Sequence, residues 1–322
     1  MYMKKDVALT LSCGGARGLA HIGVIRALEA RGYSIRAVAG CSIGSVVGAF
    51  YAMGRLDALE GFMRTVSTDN MTDYLDFALT EQGFIRGGRF IEKLKELAPD
   101  CPIESLPVRL SIVAANLTTG RAEVFTRGSV YEAVRASIAI PAVLTPVEKE
   151  GARLVDGSVV NPLPVDLALP GRRELSIAVN LYAYGGGGDI ANRPGAPGAK
   201  APTPIAYLRA KYKAVRSWRT NLLTGVFSNA GGPAGYVGTI RSIFDLMTQR
   251  LIAQTLAAHP VDVVVEVPML CASVFDFPQA DALIRLGRSQ ADRALSEFER
   301  RRPRFHLPWN RRKKRGEDAN RI

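Results

Sequence analysis

The stretch RAVAGCSIGSVVGAF, residues 36–50, constrains the fold more than any other part of this 322-residue chain. An apolar run ends in GCSIG, with Ser42 at its centre, and a second apolar run without charged residues follows. In a tight bend between a strand and a helix, the serine takes an unfavourable backbone conformation, and side chains two positions away on either side would clash. Gly40 and Gly44 meet that requirement. The segment therefore predicts a strand-turn-helix unit that exposes Ser42 as a nucleophile, and a purely structural turn is the alternative.

Strand and helix patterns alternate along much of the remaining sequence. Buried strands are predicted over residues 7–12, 35–39, 108–117, 122–126, 174–182 and 261–267. Segments with helical spacing follow several of them, which is typical of a parallel sheet with helices on both faces. We therefore predict an α/β protein with three layers, α/β/α, around a mostly parallel central sheet.

The positive charge is concentrated near one end of the chain. Residues 300–322 carry ten Lys or Arg and two Asp or Glu, which leaves +4 of the formal +12 for the other 299 residues. We predict one domain over residues 1–299, with a Gly/Pro-rich insertion at about 183–239, and a basic, disordered tail over 300–322. The tail is interpreted either as a solvated end or as an electrostatic contact with anionic membrane lipid. The aromatic residues of the tail suit a membrane interface better than nucleic acid, so no specific nucleic-acid partner is expected, although contact with RNA stays open.

The sequence favours a cytoplasmic protein, peripheral to the inner face of the membrane if the tail binds lipid. No metal-ligand spacing or disulfide pattern occurs among the four cysteines, Cys13, Cys41, Cys101 and Cys271. Asp6 interrupts the apolar run near the N-terminus, so that run does not fit a signal peptide. Residues 37–54 are uncharged and as long as a transmembrane helix, but four glycines and two serines divide them into strand, turn and helix.

A serine nucleophile also needs donors for an oxyanion, and a second glycine-rich loop is a candidate for them. The segment CGGARGLAHIG, residues 13–23, follows the first predicted strand and opens a helix. It lacks the Gly-Lys-Ser/Thr ending of a phosphate-binding loop, and Cys13 stands where a dinucleotide fingerprint has glycine. Because both loops follow parallel strands, we expect them at the same edge of the sheet, where such folds place their sites.

Candidates for the base are few, because the chain has only three histidines. His21 lies inside the first predicted helix, His306 in the tail and His259 at a helix end. The segment RLVDGSVVNPLPV places Asp156 between a short apolar strand and Gly157. A carboxylate can take the serine proton directly if the site is dry enough to raise its pKa. The alternative for Asp156 is an ordinary turn residue in an Asp-Gly pair.

These three pieces, in this order, resemble the patatin-like phospholipase family. GGARG at 14–18 matches the family's oxyanion loop, GCSIG at 40–44 its nucleophile motif, and DGS at 156–158 its Asp-Gly-Gly/Ala motif. The resemblance covers about residues 7–182 and 240–298, and these segments look like the short bacterial members of the family. The chain departs from the family at Ser12 and Cys13, where members often have glycine, and at Ser158.

The resemblance implies a lipid acyl hydrolase of the phospholipase, lysophospholipase or esterase type, acting on a lipid ester without a metal or another cofactor. Ser42 would be the nucleophile and Asp156 the base of a Ser–Asp dyad that works through an acyl-enzyme. The backbone N–H groups of Gly14, Gly15, Ala16 and Arg17 would hold the oxyanion. Four further glycines would support the three motifs, namely Gly18, Gly40, Gly44 and Gly157.

Two other functions stay open at this point. Ser42, Asp156 and His259 follow the chain order of an α/β-hydrolase triad, which would make the protein a Ser-Asp-His esterase or an acyltransferase. The third possibility is a non-catalytic, lipid-binding regulatory protein that keeps the same fold.

Overall fold

The computed structural model describes residues 5–74, 76–80, 83–141, 143–168, 170–171, 174–183 and 236–301. The predicted insertion lies almost wholly outside these residues, and so does the predicted tail beyond Arg301. The proposed domain boundaries therefore stay a prediction.

Eight strands form one central sheet, in the order β10-β9-β1-β2-β5-β8-β7, with β6 paired to β5. Strands β10, β9, β1, β2 and β5 run parallel to one another, whereas β6, β7 and β8 form antiparallel pairs. Strands β3 and β4 form a separate antiparallel pair. The strands are β1 Lys5–Leu11, β2 Tyr33–Cys41, β3 Phe77–Thr80, β4 Gly83–Ile85, β5 Arg109–Asn116, β6 Arg121–Phe125, β7 Val147–Lys149, β8 Ala152–Asp156, β9 Leu175–Ala183 and β10 Val263–Pro268.

Helices flank this mixed sheet, which confirms the predicted α/β class. They are α1 Leu19–Ala30, α2 Ile43–Ala52, α3 Leu56–Thr65, α4 Gly88–Leu97, α5 Val130–Ser137, α6 Tyr236–Ala258 and α7 Ala280–Arg301. Helices α1 and α7 pack against each other, and α2 packs on β2 and β5. Among the described residues, none of the helices is both long and apolar enough to span a bilayer.

Strand β5 has three partners, and this arrangement brings two strand ends together. Strand β6 occupies one edge of β5, while β2 and β8 share the other edge in succession. Because β2 runs parallel to β5 and β8 runs antiparallel to it, their last residues approach each other. Cys41 lies opposite Val113, and Asp156 lies opposite the next residue, Ala114. The end of β2 therefore carries Ser42 to the end of β8.

Most predicted elements agree with the structure to within two residues. The uncharged stretch 37–54 divides into the end of β2, the turn at Ser42 and helix α2, as expected. Three elements are not predicted from the sequence, since these short or amphipathic segments lack the apolar runs of the central strands: the β3–β4 hairpin, helix α3 and strand β7.

Candidate active site

Ser42 lies in a strained bend between β2 and α2. Its φ is 54° and its ψ is −125°, a region that costs a non-glycine residue about 1–3 kcal/mol. A Cβ atom on Gly40 would lie 2.5 Å from the Gly44 carbonyl oxygen, and one on Gly44 would lie 2.3 Å from the Leu11 carbonyl oxygen. Both positions therefore require glycine. The serine is only 5% exposed, because the loop after β1 and the end of β8 cover it, so it is less open than the sequence suggests.

Two serine hydroxyls hold the backbone of this bend. The Ser42 N–H donates to Ser137 Oγ at 2.9 Å, and Ser137 Oγ donates in turn to the Val113 carbonyl at 2.7 Å. Ser45 Oγ donates to the Ser42 carbonyl at 2.6 Å. Ser137 is fully buried at the end of α5. This role of Ser137 could not be predicted, since a serine in a helical pattern gives no sign of the distant N–H group whose hydrogen bond it accepts.

Replacing Ser137 with alanine is expected to lower kcat about tenfold with little change in KM. The change leaves a buried N–H without an acceptor, which costs about 1–3 kcal/mol of folding free energy and loosens the bend that aims the nucleophile. Steady-state kinetics and thermal unfolding would measure both effects. Ser105→Ala is the matched control, because Ser105 Oγ also donates to a backbone carbonyl, at 2.7 Å, but on the surface. Equal kcat in the two variants would contradict this role.

Asp156 is 1% exposed and accepts three hydrogen bonds. Its Oδ2 accepts from Ser42 Oγ at 2.5 Å, and its Oδ1 accepts from the Ser158 N–H at 2.8 Å and from Cys41 Sγ at 3.9 Å. Burial raises the pKa of the Asp156 carboxyl, and the hydrogen bonds from Ser42 and Ser158 offset part of that rise. The carboxylate is thus a stronger base than an exposed aspartate, and it already accepts a hydrogen bond from the Ser42 hydroxyl.

Gly157 and Cys41 complete the surroundings of this carboxylate. A Cβ atom on Gly157 would lie 2.4 Å from the Val113 carbonyl oxygen, so glycine lets β8 end close against β5. Burial raises the pKa of the Cys41 thiol well above its usual range, so Cys41 stays neutral and acts as a weak donor. Within the described part of the chain, no group of three or more His, Cys, Asp or Glu is arranged to hold a metal ion.

The glycine-rich loop after β1 packs directly against the bend. A Cβ atom on Gly18 would lie 2.2 Å from Ile43 Cγ2, which places the loop beside the first turn of α2. No described residue accepts a hydrogen bond from the N–H of Gly14 or of Gly15, so both are available to an oxyanion. The Ala16 N–H, in contrast, already donates to the Val274 carbonyl at 2.8 Å.

Arg17 fixes the shape of this loop through its side chain. The guanidinium is buried, donates to the carbonyls of Gly14 at 3.1 Å and Met269 at 2.8 Å, and stacks 4.4 Å from the centre of the Tyr182 ring. These contacts join the loop to the segment after β10. The side chain of Arg17 is thus a structural part of the loop, a role that the sequence did not reveal.

Neither of the two histidines among the described residues forms a hydrogen bond with Ser42 or Asp156. His21 is fully buried, and its Nε2 donates to the Ser12 carbonyl at 2.9 Å; burial lowers the pKa of His21 to about 4, so it stays neutral. His259 is exposed at the end of α6, just before β10 begins. Since β10 is parallel to the other central strands, His259 lies at the amino edge of the sheet, whereas Ser42 follows the carboxyl edge. His306 lies outside the described residues.

Comparisons with known proteins show to which family the chain belongs. A sequence profile of the family described as Patatin-like phospholipase matches residues 9–169, which include Ser42 and Asp156. An uncharacterized NTE family protein of Mycobacterium bovis is 31% identical over 91% of this chain and 92% of its own length, and lysophospholipase NTE1 of Mycosarcoma maydis is 35% identical over 51% of this chain and 9% of its own. The crystal structure of VipD from Legionella pneumophila shares the fold, with a TM-score of 0.52 and 15% identity over 92% of this chain and 67% of VipD. The chain belongs to the patatin-like phospholipase family.

Proposed function

We propose that the protein hydrolyses acyl esters of lipids, with Ser42 as nucleophile and Asp156 as base. The observation that carries this proposal is the 2.5 Å hydrogen bond from Ser42 Oγ to the buried Asp156 Oδ2. Family membership supports a lipid ester as substrate, and so does the similarity to a protein named lysophospholipase. The strained bend supports the choice of nucleophile, since such strain is typical of functional sites.

In the first step, Ser42 Oγ attacks the carbonyl carbon of the ester while its proton passes to Asp156 Oδ2. The charge that develops on the carbonyl oxygen meets the free N–H groups of Gly14 and Gly15 and the amino end of α2. When the tetrahedral intermediate collapses, the bond to the leaving alcohol breaks and that oxygen takes the proton from Asp156. The acyl group stays on Ser42.

In the second step, water attacks the acyl carbon and gives its proton to the Asp156 carboxylate. Collapse of the second intermediate breaks the bond to Ser42 Oγ, which takes the proton back, and the fatty acid leaves. Asp156 thus acts as base and then as acid in each half of the reaction. The raised pKa of Asp156 suits both roles better than that of an exposed carboxyl.

Fatty acid release from a lipid panel tests this proposal. The panel holds a diacyl phospholipid, a lysophospholipid and a soluble short-chain ester, each offered to the wild type and to Ser42→Ala. We expect the wild type to cleave at least one of them, and Ser42→Ala to lose about 10³-fold or more of that rate, as expected for a lost nucleophile. A folded wild type that cleaves none of the panel would point instead to a non-catalytic lipid-binding protein.

A further inference from the structure

Helix α6 carries a cluster of exposed apolar side chains. Of the seven large apolar side chains that are exposed in the described part of the chain, five lie on α6 or beside it. These five residues, each 41–52% exposed, form what is here named the α6 face: Ile243, Phe244, Leu246, Met247 and Leu270. Exposed apolar residues that are scattered singly are normal, whereas a cluster of this kind is typical of an interaction site.

The α6 face points outward because another side of the helix holds it to the protein. Thr248 and Ile252 are buried and lie four residues apart, and Asp245 is half-buried one turn before Thr248. Leu246 and Met247 fall between these positions and remain exposed. The apolar side chains are therefore not needed to attach α6 to the core.

A series of side-chain contacts connects the α6 face to the glycine-rich loop of the active site. Gln249 Nε2 lies 3.2 Å from Met269 Sδ, and the Met269 carbonyl accepts from Arg17 in the glycine-rich loop. Arg17 in turn stacks on Tyr182. The first half of α6 thus lies at the carboxyl edge of the sheet.

The distribution of charge indicates what covers this face. Residues 184–235 carry seven Lys or Arg and one Asp, and residues 302–322 carry eight Lys or Arg and two Asp or Glu. Together these stretches account for the whole formal charge of +12, so the remaining chain is neutral. In the sequence, the first stretch follows β9 and immediately precedes α6, the helix that carries most of the α6 face. The second stretch follows α7 in the sequence. Near the end of α7, Glu299 forms an ion pair with Arg31, which precedes β2. The end of α7 therefore lies at the amino edge of the sheet, opposite the edge that carries Ser42.

We infer that the α6 face docks on an anionic lipid bilayer; the net charge of +6 in the sequence between β9 and α6 supports an anionic partner. The inference rests on the proposed function for its choice of a lipid partner. Apolar side chains next to a basic stretch are the combination that binds such an interface. Docking through α6 would hold the carboxyl edge of the sheet, where Ser42 lies, against the lipid esters of that bilayer. The predicted tail would have no main part in binding.

Co-sedimentation with phosphatidylcholine vesicles, with and without phosphatidylglycerol, tests this inference. All variants carry Ser42→Ala, so that binding is measured without hydrolysis. We expect Leu246→Asp with Met247→Asp to weaken binding to the anionic vesicles about tenfold or more, because charges replace the apolar contacts. The matched control is Leu117→Asp with Val124→Asp, since these two side chains are 53% and 39% exposed elsewhere. Thermal unfolding confirms that each variant folds.

Charge substitutions separate the two basic stretches. Replacing Lys211, Lys213, Arg216 and Arg219 with glutamine is expected to weaken binding to anionic vesicles, while the same change at Arg311, Arg312, Lys313 and Lys314 has little effect. Equal binding by the α6 variant and its control, or loss only with the tail variant, would overturn the inference. So would concentration-dependent self-association that Leu246→Asp abolishes, in the absence of vesicle binding. Hydrolysis of the soluble ester tests the proposed function separately, since it requires no bilayer.

Discussion

Replacing Asp156 with asparagine is expected to lower kcat/KM for a soluble ester by about 10²–10⁴-fold, the usual contribution of a general base. Asparagine has nearly the same shape and can still meet Ser42 Oγ and the Ser158 N–H, so the bend should keep its geometry. What disappears is the group that accepts the proton. In the wild type, kcat/KM should rise with pH as the Asp156 carboxyl loses its proton, at a pH above the usual range of an aspartate because burial raises this pKa.

The same substitution should raise the stability of the protein at neutral pH. The pKa of Asp156 is higher in the folded state than in the unfolded state, so the folded state favours the protonated form. Stability therefore falls as pH rises from the unfolded pKa to the folded pKa, and the cost of the buried charge is fully present above it. The asparagine side chain of the variant carries no such charge. Thermal unfolding at pH 7 and at pH 3 should show a gain in melting temperature only at pH 7.

Asp262→Asn provides the control for both effects. Asp262 accepts from the Ser176 N–H and Oγ at 2.8 and 2.9 Å, but it is exposed at the amino edge of the sheet. Its replacement should leave kcat/KM unchanged. An Asp156→Asn protein with wild-type kcat/KM, or one less stable than the wild type at pH 7, would contradict the assigned role of the buried carboxylate.

Replacing Gly44 with alanine is expected to destabilise the fold by about 4 kcal/mol or more, which places it in the largest class of single-residue effects. The added Cβ atom would lie 2.3 Å from the Leu11 carbonyl oxygen and 2.8 Å from the Ser12 carbonyl oxygen. Both are backbone atoms at the end of β1, so neither can rotate away as a side chain could. Relief requires α2 to move away from β1, which also displaces Ser42. Chemical denaturation measures the loss, and esterase activity should fall with it.

Gly61→Ala is the matched control, because Gly61 is an exposed glycine inside α3 with nothing within 4 Å of the added Cβ atom. There the substitution should stabilise the protein by up to about 1 kcal/mol, since alanine favours the helix. Similar denaturation midpoints for the two variants would show that the bend does not need glycine at position 44.

The central motifs could be predicted because each has a local physical requirement. The need for glycine at positions 40 and 44 follows from the bend alone. Asp156 is followed by Gly157, which is required because the end of β8 lies close against β5. The contact between Ser42 and Asp156 could not be derived from spacing, since it depends on β2 and β8 sharing one edge of β5. Two strands that pair with consecutive positions of a third strand leave no signature in a sequence.

Other parts of the site were beyond sequence reasoning for related reasons. Ser137 acts through one hydrogen bond over 95 positions of sequence, and Ala16 loses its free N–H to a carbonyl of the segment after β10. For His259, in contrast, the order of residues along the chain suggested a triad, but the sheet places His259 at the edge opposite to Ser42. Parallel strands place the ends of helices and the ends of strands at different edges, so the order of residues along the chain does not decide which of them meet.

Labelling with a fluorophosphonate, followed by peptide mass mapping, tests the central claim most directly. A dyad of Ser42 and Asp156 predicts a single adduct on Ser42, formed at the wild-type rate in His259→Ala and about 100-fold more slowly or worse in Asp156→Asn. An adduct on another residue would contradict the account, and so would loss of labelling in His259→Ala while Asp156→Asn reacts at the wild-type rate.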